Sequence, residues 1–439
     1  MNITVTAERP QNDQVVAKLT VPAAEVDKAI KQAYKDIAKA YNFTGFRRGH
    51  APRPVIDSIV GRKNVLGQAT EDLMNDAQPQ MFEELDVVPV GNPDYGEEPL
   101  AVVEHEDFTC TATISVPPVA ELDSYDAPAI NMPPQNATEA EIDQQIEQLM
   151  EYHVTYEDDN RRSVLKEGDV CTMDVKKNEG NAAIPEGEDV QVSINDAYLP
   201  QEFFDAVKGM KKGETKDVEW TTTHGDHEHK YSYTATLKVI KKKVVPELTD
   251  DFAKKSFGFD TIAEFRDAVK EEIEEDKKTS LPNLKEDRVV EEIGKHLQLE
   301  EVPGAYENQV FSELGQEFLN QLQRQGLTLD FYLQARGIKA DDFINDLHEQ
   351  AKERARQSLA LDALARHLEV EVSDEDIQKE FEDAGVKDVQ KSIKDFTEGG
   401  QMPAIRESIR RSKAVQWMVE NCSVTEVDEI AEARDKKDE

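Results

Sequence analysis

The spacing of apolar residues changes along this chain, and the change constrains its fold more than any other feature. Residues 2 to 6 and 14 to 21 alternate apolar with polar side chains, which is typical of two strands with one buried face. From Pro22 the apolar residues recur every three or four positions, which predicts a helix that ends at Asn42. The chain therefore opens with a β-hairpin followed by a helix, which excludes an all-α and an all-β fold.

The same two patterns continue through the rest of the sequence. Helical spacing occupies 54 to 85, and strict alternation returns at 108 to 116, where a third strand can join the hairpin. Residues 165 to 243 contain short alternating runs separated by glycines, with one short helix at 202 to 207. Beyond Pro246 the spacing is almost wholly helical.

At 439 residues the chain is about three times the length of a common domain. The patterns predict a multidomain α+β protein in five segments: an α+β domain at 1–120, an extended connector and linker helix at 121–160, a β-rich domain at 161–246, an all-α domain at 247–424 and a charged, frayed tail at 425–439. Within the helical region we expect helix breaks at Pro282, Pro303 and Pro403.

The charge is strongly acidic but unevenly distributed. There are 52 Lys and Arg residues and 91 Asp and Glu residues, a net charge of −39. Residues 1 to 63 carry a net charge of +5, and residues 64 to 160 contain 23 acidic residues and no Lys or Arg. A surface this acidic excludes general binding to DNA or to anionic membranes, so any anionic partner must be contacted locally.

Other features limit the class of protein further. No run of about 18 apolar residues and no secretory leader is present, so we expect a cytoplasmic protein with no membrane partner. Three scattered cysteines argue against disulfides and thiolate metal sites. No glycine-rich phosphate loop is found, so ATP and other cofactors are not expected. The histidines of 224 to 229 favour a polar turn over a metal site.

The segment from Asn42 to Lys63 contains five basic residues and one acid, next to Phe43 and Phe46. Guanidinium groups pair with phosphates, and exposed aromatic rings stack on bases or enter apolar crevices, so the segment is a candidate anion-binding loop. The alternative is a solvated turn in which Phe46 fills the protein's own core.

The sequence Gly45-Phe46-Arg47-Arg48-Gly49-His50-Ala51-Pro52 resembles the GFRxGxxP motif of the trigger factor family of bacterial ribosome-associated chaperones. The resemblance implies an N-terminal ribosome-docking domain, an FKBP-like peptidyl-prolyl isomerase domain and a helical chaperone domain with arms. It also implies docking through Phe46, Arg47 and Arg48, flanked by Gly45 and Gly49, on a ribosomal protein and adjoining RNA at the exit tunnel. The further implied partners are nascent unfolded polypeptides and, away from the ribosome, a second copy of the chain.

By the same resemblance, the catalytic residues of the isomerase domain are expected to be Asp174, Leu199, Phe203 and Tyr233. The family usually has an aromatic residue where this chain has Val175, and its IPGF stretch is one residue longer here. Tyr231, Trp220 and Phe204 are further aromatic candidates. A weak isomerase and a peptide-binding module both stay open.

Apolar stripes on the helices after Pro246 can form arms whose inner faces bind unfolded chains, or they can all be buried against one another. The resemblance favours an ATP-independent chaperone involved in protein folding and export. The alternatives are a cytosolic FKBP-type isomerase and a holdase that does not bind ribosomes.

Overall fold

Strands and helices follow one another in the order that the apolar spacing predicts. The computed structural model describes residues 1–96, 100–182, 184–195, 199–224 and 227–438. Its strands are β1 (Thr4–Gln11), β2 (Gln14–Val21), β3 (Phe108–Ser115), β4 (Glu121–Leu122), β5 (Ala129–Met132), β6 (Thr155–Asp158), β7 (Val170–Glu179), β8 (Gly187–Ser193), β9 (Thr215–His224), β10 (His227–Val244), β11 (Leu297–Gln298) and β12 (Ser423–Glu426). Its helices are α1 (Ala23–Ala40), α2 (Arg53–Ile59), α3 (Arg62–Leu85), α4 (Glu139–Glu151), α5 (Gln201–Val207), α6 (Asp250–Phe252), α7 (Ile262–Lys295), α8 (Gly304–Arg324), α9 (Leu329–Arg336), α10 (Ala340–His367), α11 (Asp374–Asp383), α12 (Val389–Glu398), α13 (Met402–Asn421) and α14 (Glu429–Asp438). A π-helical turn, Ala253–Phe257, follows α6.

The chain forms two compact units. The first comprises Met1–Asn131, Asn283–Leu329 and Ala340–Thr425, and the second comprises Met132–Pro282, Asp330–Lys339 and Glu426–Glu439. The five-segment division of the sequence stays a prediction, whereas the mixed helix and sheet class is confirmed.

The N-terminal part of the first unit is an antiparallel sheet in the order β1-β2-β3, covered by helices. On central strand β2, Val15, Ala17, Leu19 and Val21 are buried, as their alternation predicts. The stripe on α1 is buried too, from Val26 onward, and packs in the same core as residues of α3. This packing fixes the two ends of the loop that joins α1 to α2.

The β-rich part of the second unit is built around the long strand β10. Strands run in the order β6-β10-β7-β8, while β9 pairs with the N-terminal part of β10. Met173, Phe203 and Tyr233 are almost completely buried in its core. The short strand β6 was not predicted, because its sequence reads only as an acidic run.

In the first unit, α8 and α13 both pack against α10. Residues 359 to 365 of α10 are all buried, including the polar residue Asp362. Pro303 and Pro403 lie at the starts of α8 and α13, as expected.

Two expectations about the helical region are wrong. Pro282 does not break a helix but lies inside α7, because helical residues on both sides outweigh one missing backbone hydrogen bond. The C-terminal tail forms β12 and α14 instead of fraying. Arg434 on α14 lies 3.2 Å from the carboxylate of Glu147 on α4, so the charges of this segment have partners on a neighbouring helix.

Candidate functional site

The loop between α1 and α2 is held by backbone hydrogen bonds. The amide of Gly49 donates to the carbonyl of Ala38 in α1 at 2.8 Å, which ties the loop to the helix end. Gly45 and Gly49 have φ values of 88° and 84°, a region that favours glycine. The two predicted glycines therefore give the loop its tight turns, and they restrict where its side chains point.

The two phenylalanines of the loop have different environments. Phe43 is 5% exposed and belongs to the core beneath the sheet, whereas Phe46 is 42% exposed. The amide of Phe46 donates to the carbonyl of Phe43 at 3.1 Å, so one turn buries the first ring and presents the second. The alternative in which Phe46 fills the core is wrong, because Phe43 occupies that place.

The basic residues of the loop differ in their partners. Arg47 is exposed, and within the described part of the chain its side chain has no ion pair or hydrogen bond. Arg48 donates through Nε to the carbonyl of Lys39. Arg53 and Arg62 both pair with Glu104, which reduces the local positive charge below the sequence count. Reasoning from sequence missed Glu104, because 51 residues separate it from Arg53 and no spacing marks the pair.

Tyr34 supports this surface from within α1. Its hydroxyl donates to Asp57 Oδ1 at 2.6 Å, and the guanidinium carbon of Arg53 lies 4.6 Å from the centre of its ring. Burial, followed by the hydrogen bond to Asp57, raises the pKa of Tyr34 to about 12. The ring is thus a fixed neutral platform beneath Arg53.

In the β-rich part, three of the four expected catalytic residues lie in one core. Tyr233 is 1% exposed, Phe203 is fully buried, and their rings meet edge to face with centroids 6.2 Å apart. Leu199 is buried in the same cluster. The Tyr233 hydroxyl accepts from the amide of Ala182 at 2.9 Å, so a backbone group of the protein already occupies it.

Asp174, the fourth expected catalytic residue, is not brought to these three. On β7 the side chains of Met173 and Val175 point into the core, so Asp174 between them points to the other face of the sheet. Its carboxylate lies 2.7 Å from Lys238 Nζ and accepts from the amide of Asp189. The hydrogen bond from Lys238, and then that from Asp189, lowers the pKa of Asp174.

Trp220 and Tyr231 are half-buried aromatic residues of this region. They are direct cross-strand partners on β9 and β10, and their rings stack with centroids 5.0 Å apart. Trp220 also stacks on Tyr233 at 5.7 Å. Together the rings form an apolar wall whose outer part can contact a ligand.

The side chains of His224 and His227 lie outside the described residues. In the part of the chain that is described, no group of three His, Cys, Asp or Glu side chains is arranged to hold a metal ion. No helix of the described residues is long and apolar enough to cross a membrane.

The packed helices α8 and α10 keep apolar side chains at their surface. Leu319 and Ile344 are 45% and 44% exposed, while Phe318 and Phe343 pack against each other with centroids 5.1 Å apart. On α9, Phe331 is 57% exposed. The stripes are therefore not all buried against one another.

Fold and sites together define a multidomain α+β protein that combines an exposed Phe-Arg-Arg loop, a β-rich module with an aromatic wall and a helical module. A family model described as "Bacterial trigger factor protein (TF)" matches residues 1–149, and one described as "Bacterial trigger factor protein (TF) C-terminus" matches residues 261–420.

Whole-chain relatives agree with these matches. The trigger factor of Lysinibacillus sphaericus is 29% identical over 428 residues, which cover 95% of this chain and 99% of that protein. The trigger factor of Corynebacterium aurimucosum is 30% identical over 432 residues, with 96% and 94% covered. A solved structure of the trigger factor chaperone aligns with 95% of this chain at 18% identity and a TM-score of 0.39. By its sequence matches, the chain belongs to the trigger factor family, whose members are ribosome-associated chaperones.

Proposed function

We propose that this chain is an ATP-independent cytoplasmic chaperone that docks at the ribosomal exit tunnel and binds emerging unfolded polypeptides. Docking is assigned to Phe46, Arg47 and Arg48, with Gly45 and Gly49 shaping their loop. The observation that carries the proposal is the exposed ring of Phe46, followed in sequence by Arg47, whose exposed side chain has no ion pair or hydrogen bond within the described residues. In the predicted division, residues 1–120 dock, 161–246 bind prolyl peptides and 247–424 bind clients.

The loop suits docking because little of it has to change on binding. The buried ring of Phe43 and the hydrogen bond from the Gly49 amide to the Ala38 carbonyl hold the loop against the core and α1. The entropy cost of ordering Phe46 and its neighbours on binding is therefore small. An apolar ring can enter a crevice of a ribosomal protein, and a free guanidinium can pair with a carboxylate or phosphate at its rim. The loop therefore offers one apolar anchor, Phe46, and one cationic anchor, Arg47.

Client binding is supported by the exposed apolar residues of the helical region. Leu319, Phe331 and Ile344 each expose more than two fifths of their surface on helices with many charged neighbours. Such side chains bind extended apolar segments weakly and without sequence preference, which suits a chaperone that acts without ATP.

Co-sedimentation with vacant ribosomes tests the docking assignment. The variant F46A/R47A/R48A should pellet much less than the wild type. The matched control F331A/R336A/K339A also removes one exposed ring and two positive charges, and it should pellet normally while binding an unfolded client less well. Equal pelleting of wild type and F46A/R47A/R48A would exclude docking through this loop.

We propose a second, weaker activity for the β-rich module, which is prolyl peptide binding with slow isomerisation. The Tyr233 hydroxyl already accepts from Ala182, and Asp174 pairs with Lys238 on the opposite sheet face, so neither is poised for a substrate held against the aromatic wall. Trp220 and Tyr231 supply apolar contact, which can favour a desolvated, twisted imide over the planar one.

A tetrapeptide isomerisation assay checks this second activity. Trp220→Ala should reduce both peptide binding and the residual rate. Tyr156→Ala removes a ring that is 39% exposed on neighbouring strand β6, and it should leave both unchanged. Rapid turnover that persists in Trp220→Ala would show that the aromatic wall is not the site.

A further inference from the structure

A single carboxylate joins the two arginines that follow the proposed docking loop. Glu104 Oε1 accepts from Arg53 at 2.7 Å, and Glu104 Oε2 accepts from Arg62 at 2.8 Å. The side chains of Arg53 and Arg62 are 47% and 60% exposed, and that of Glu104 is 26% exposed. Two guanidinium groups thus converge on one anionic group at the protein surface.

The arginine pair is arranged before any partner arrives. Arg53 starts α2 directly after the loop and lies over the ring of Tyr34. Arg62 is the first residue of α3, so both arginines are attached to helices packed on the N-terminal core. Their positions therefore do not depend on Glu104 alone.

The backbone on both sides of Glu104 is anchored. The amide of Val102 donates to Thr70 Oγ1 at 3.1 Å in the core, and the amide of His105 donates to Asp27 at 2.9 Å. Glu104 can consequently leave the arginines by rotating its side chain, without moving its backbone. Ion pairs as exposed as these contribute little to stability, so a competing anion can replace the carboxylate.

We propose that Arg53 and Arg62 form a phosphate-binding pair, which Glu104 occupies in the free protein and a backbone phosphate of ribosomal RNA occupies in the docked protein. The inference rests on the proposed docking, because it needs the neighbouring loop to bring RNA to the pair. Each guanidinium gives Glu104 one hydrogen bond and keeps further N–H donors, which a phosphate with more oxygens can accept. Glu104 then acts as an internal competitor, which weakens the binding of other anions to Arg53 and Arg62 when the protein is not docked on the ribosome.

The experiment measures the affinity of the full-length chain for vacant ribosomes by sedimentation between 50 and 200 mM salt. It compares wild type, Glu104→Gln, R53Q/R62Q and the triple variant E104Q/R53Q/R62Q. Glu106→Gln is the matched control, since Glu106 is exposed, lies two residues away and has no ion pair in the described part of the chain. Circular dichroism confirms that each variant is folded.

Removal of the competitor by Glu104→Gln should tighten binding roughly two- to fivefold, the range that exposed ion pairs contribute. The variant R53Q/R62Q should bind more weakly. Because it leaves one RNA phosphate without its cationic partner, its slope of log affinity against log salt should be shallower by about 0.7 to 0.9. In the triple variant the gain from Glu104→Gln should disappear.

If Glu106→Gln gains as much affinity for ribosomes as Glu104→Gln, or if the gain persists in the triple variant, the change in net charge alone explains the gain. Either result would overturn the proposal. Weaker binding of R53Q/R62Q with an unchanged salt slope would assign a protein carboxylate as the partner and exclude the phosphate. Failure of the docking proposal is distinguishable, since F46A/R47A/R48A would then bind like wild type whatever the Glu104 variants do.

Discussion

Replacing the two phenylalanines of the loop one at a time separates stability from docking. Phe43 is 5% exposed in the N-terminal core, so Phe43→Ala should lower the local free energy of unfolding by about 3 to 5 kcal/mol. Phe46 is 42% exposed, so its partial burial is worth about 1 to 2 kcal/mol. The expected difference between the two variants is therefore at least about 1 kcal/mol.

Native-state hydrogen exchange of the full-length chain measures these values. The amides of β2 are suitable probes, because this central strand is paired on both sides and lies in the core that contains Phe43. Ribosome pelleting is measured on the same samples at a temperature at which all variants are folded. Phe46→Ala should lose most of its pelleting while its exchange changes less than that of Phe43→Ala.

Phe108→Ala is the matched control for destabilisation alone. Phe108 is 6% exposed on β3 in the same core but outside the loop, so its loss should accelerate exchange and largely preserve pelleting. The reasoning is refuted if Phe46→Ala destabilises the sheet as much as Phe43→Ala. It is also refuted if Phe108→Ala loses as much pelleting as Phe46→Ala, since docking would then merely follow stability.

Two further predictions concern charges that are buried or half-buried. Partial burial, with a smaller contribution from the Asp362 carboxylate, raises the pKa of Glu407 to about 7, although the guanidinium of Arg411 lies 3.2 Å from its carboxylate. The ionised form of Glu407 therefore costs stability as pH rises through about 7, and Glu407→Gln should stabilise the first unit by on the order of 1 kcal/mol more at pH 8 than at pH 4.5. Urea unfolding that shows no pH dependence of this gain would contradict the prediction. Lys277 is 8% exposed, and its Nζ donates to the carbonyls of Pro134 and Asn136 and to Glu141, so Lys277→Met should cost about 3 to 5 kcal/mol in the second unit. Thermal unfolding measures this loss, and an unchanged midpoint would show that these groups find other partners.

The sequence predicts those parts of the fold that depend on local periodicity. The strand at β2, the helix at α1 and the glycine turns of the loop follow from alternation, from helical spacing and from the need for positive φ. Very short strands such as β4 and β11 were missed, because a two-residue pair leaves no pattern in the sequence. The predicted helix break at Pro282 was wrong for a related reason, since the tendency of one proline to end a helix is outweighed by the helical residues around it.

The candidate sites show the same limit. Motif and charge identify the loop, but only packing shows that Phe43 is buried and Phe46 exposed. The pairing of Glu104 with Arg53 and Arg62 joins residues far apart in sequence, so composition overestimates the free positive charge there. Strand alternation could have placed Asp174 and Tyr233 on opposite faces of the sheet, since it puts Met173 and Val175 in the core.

Photo-crosslinking from position 46 tests the docking proposal most directly. The full-length chain with p-benzoylphenylalanine in place of Phe46 is incubated with vacant ribosomes, alongside a chain that carries the same probe in place of Phe331. We predict crosslinks from position 46 to components at the exit of the large subunit, and none from position 331 until a nascent chain is present. Equal crosslinking from both positions, or none from position 46 while the protein co-sediments with ribosomes, would contradict docking through this loop.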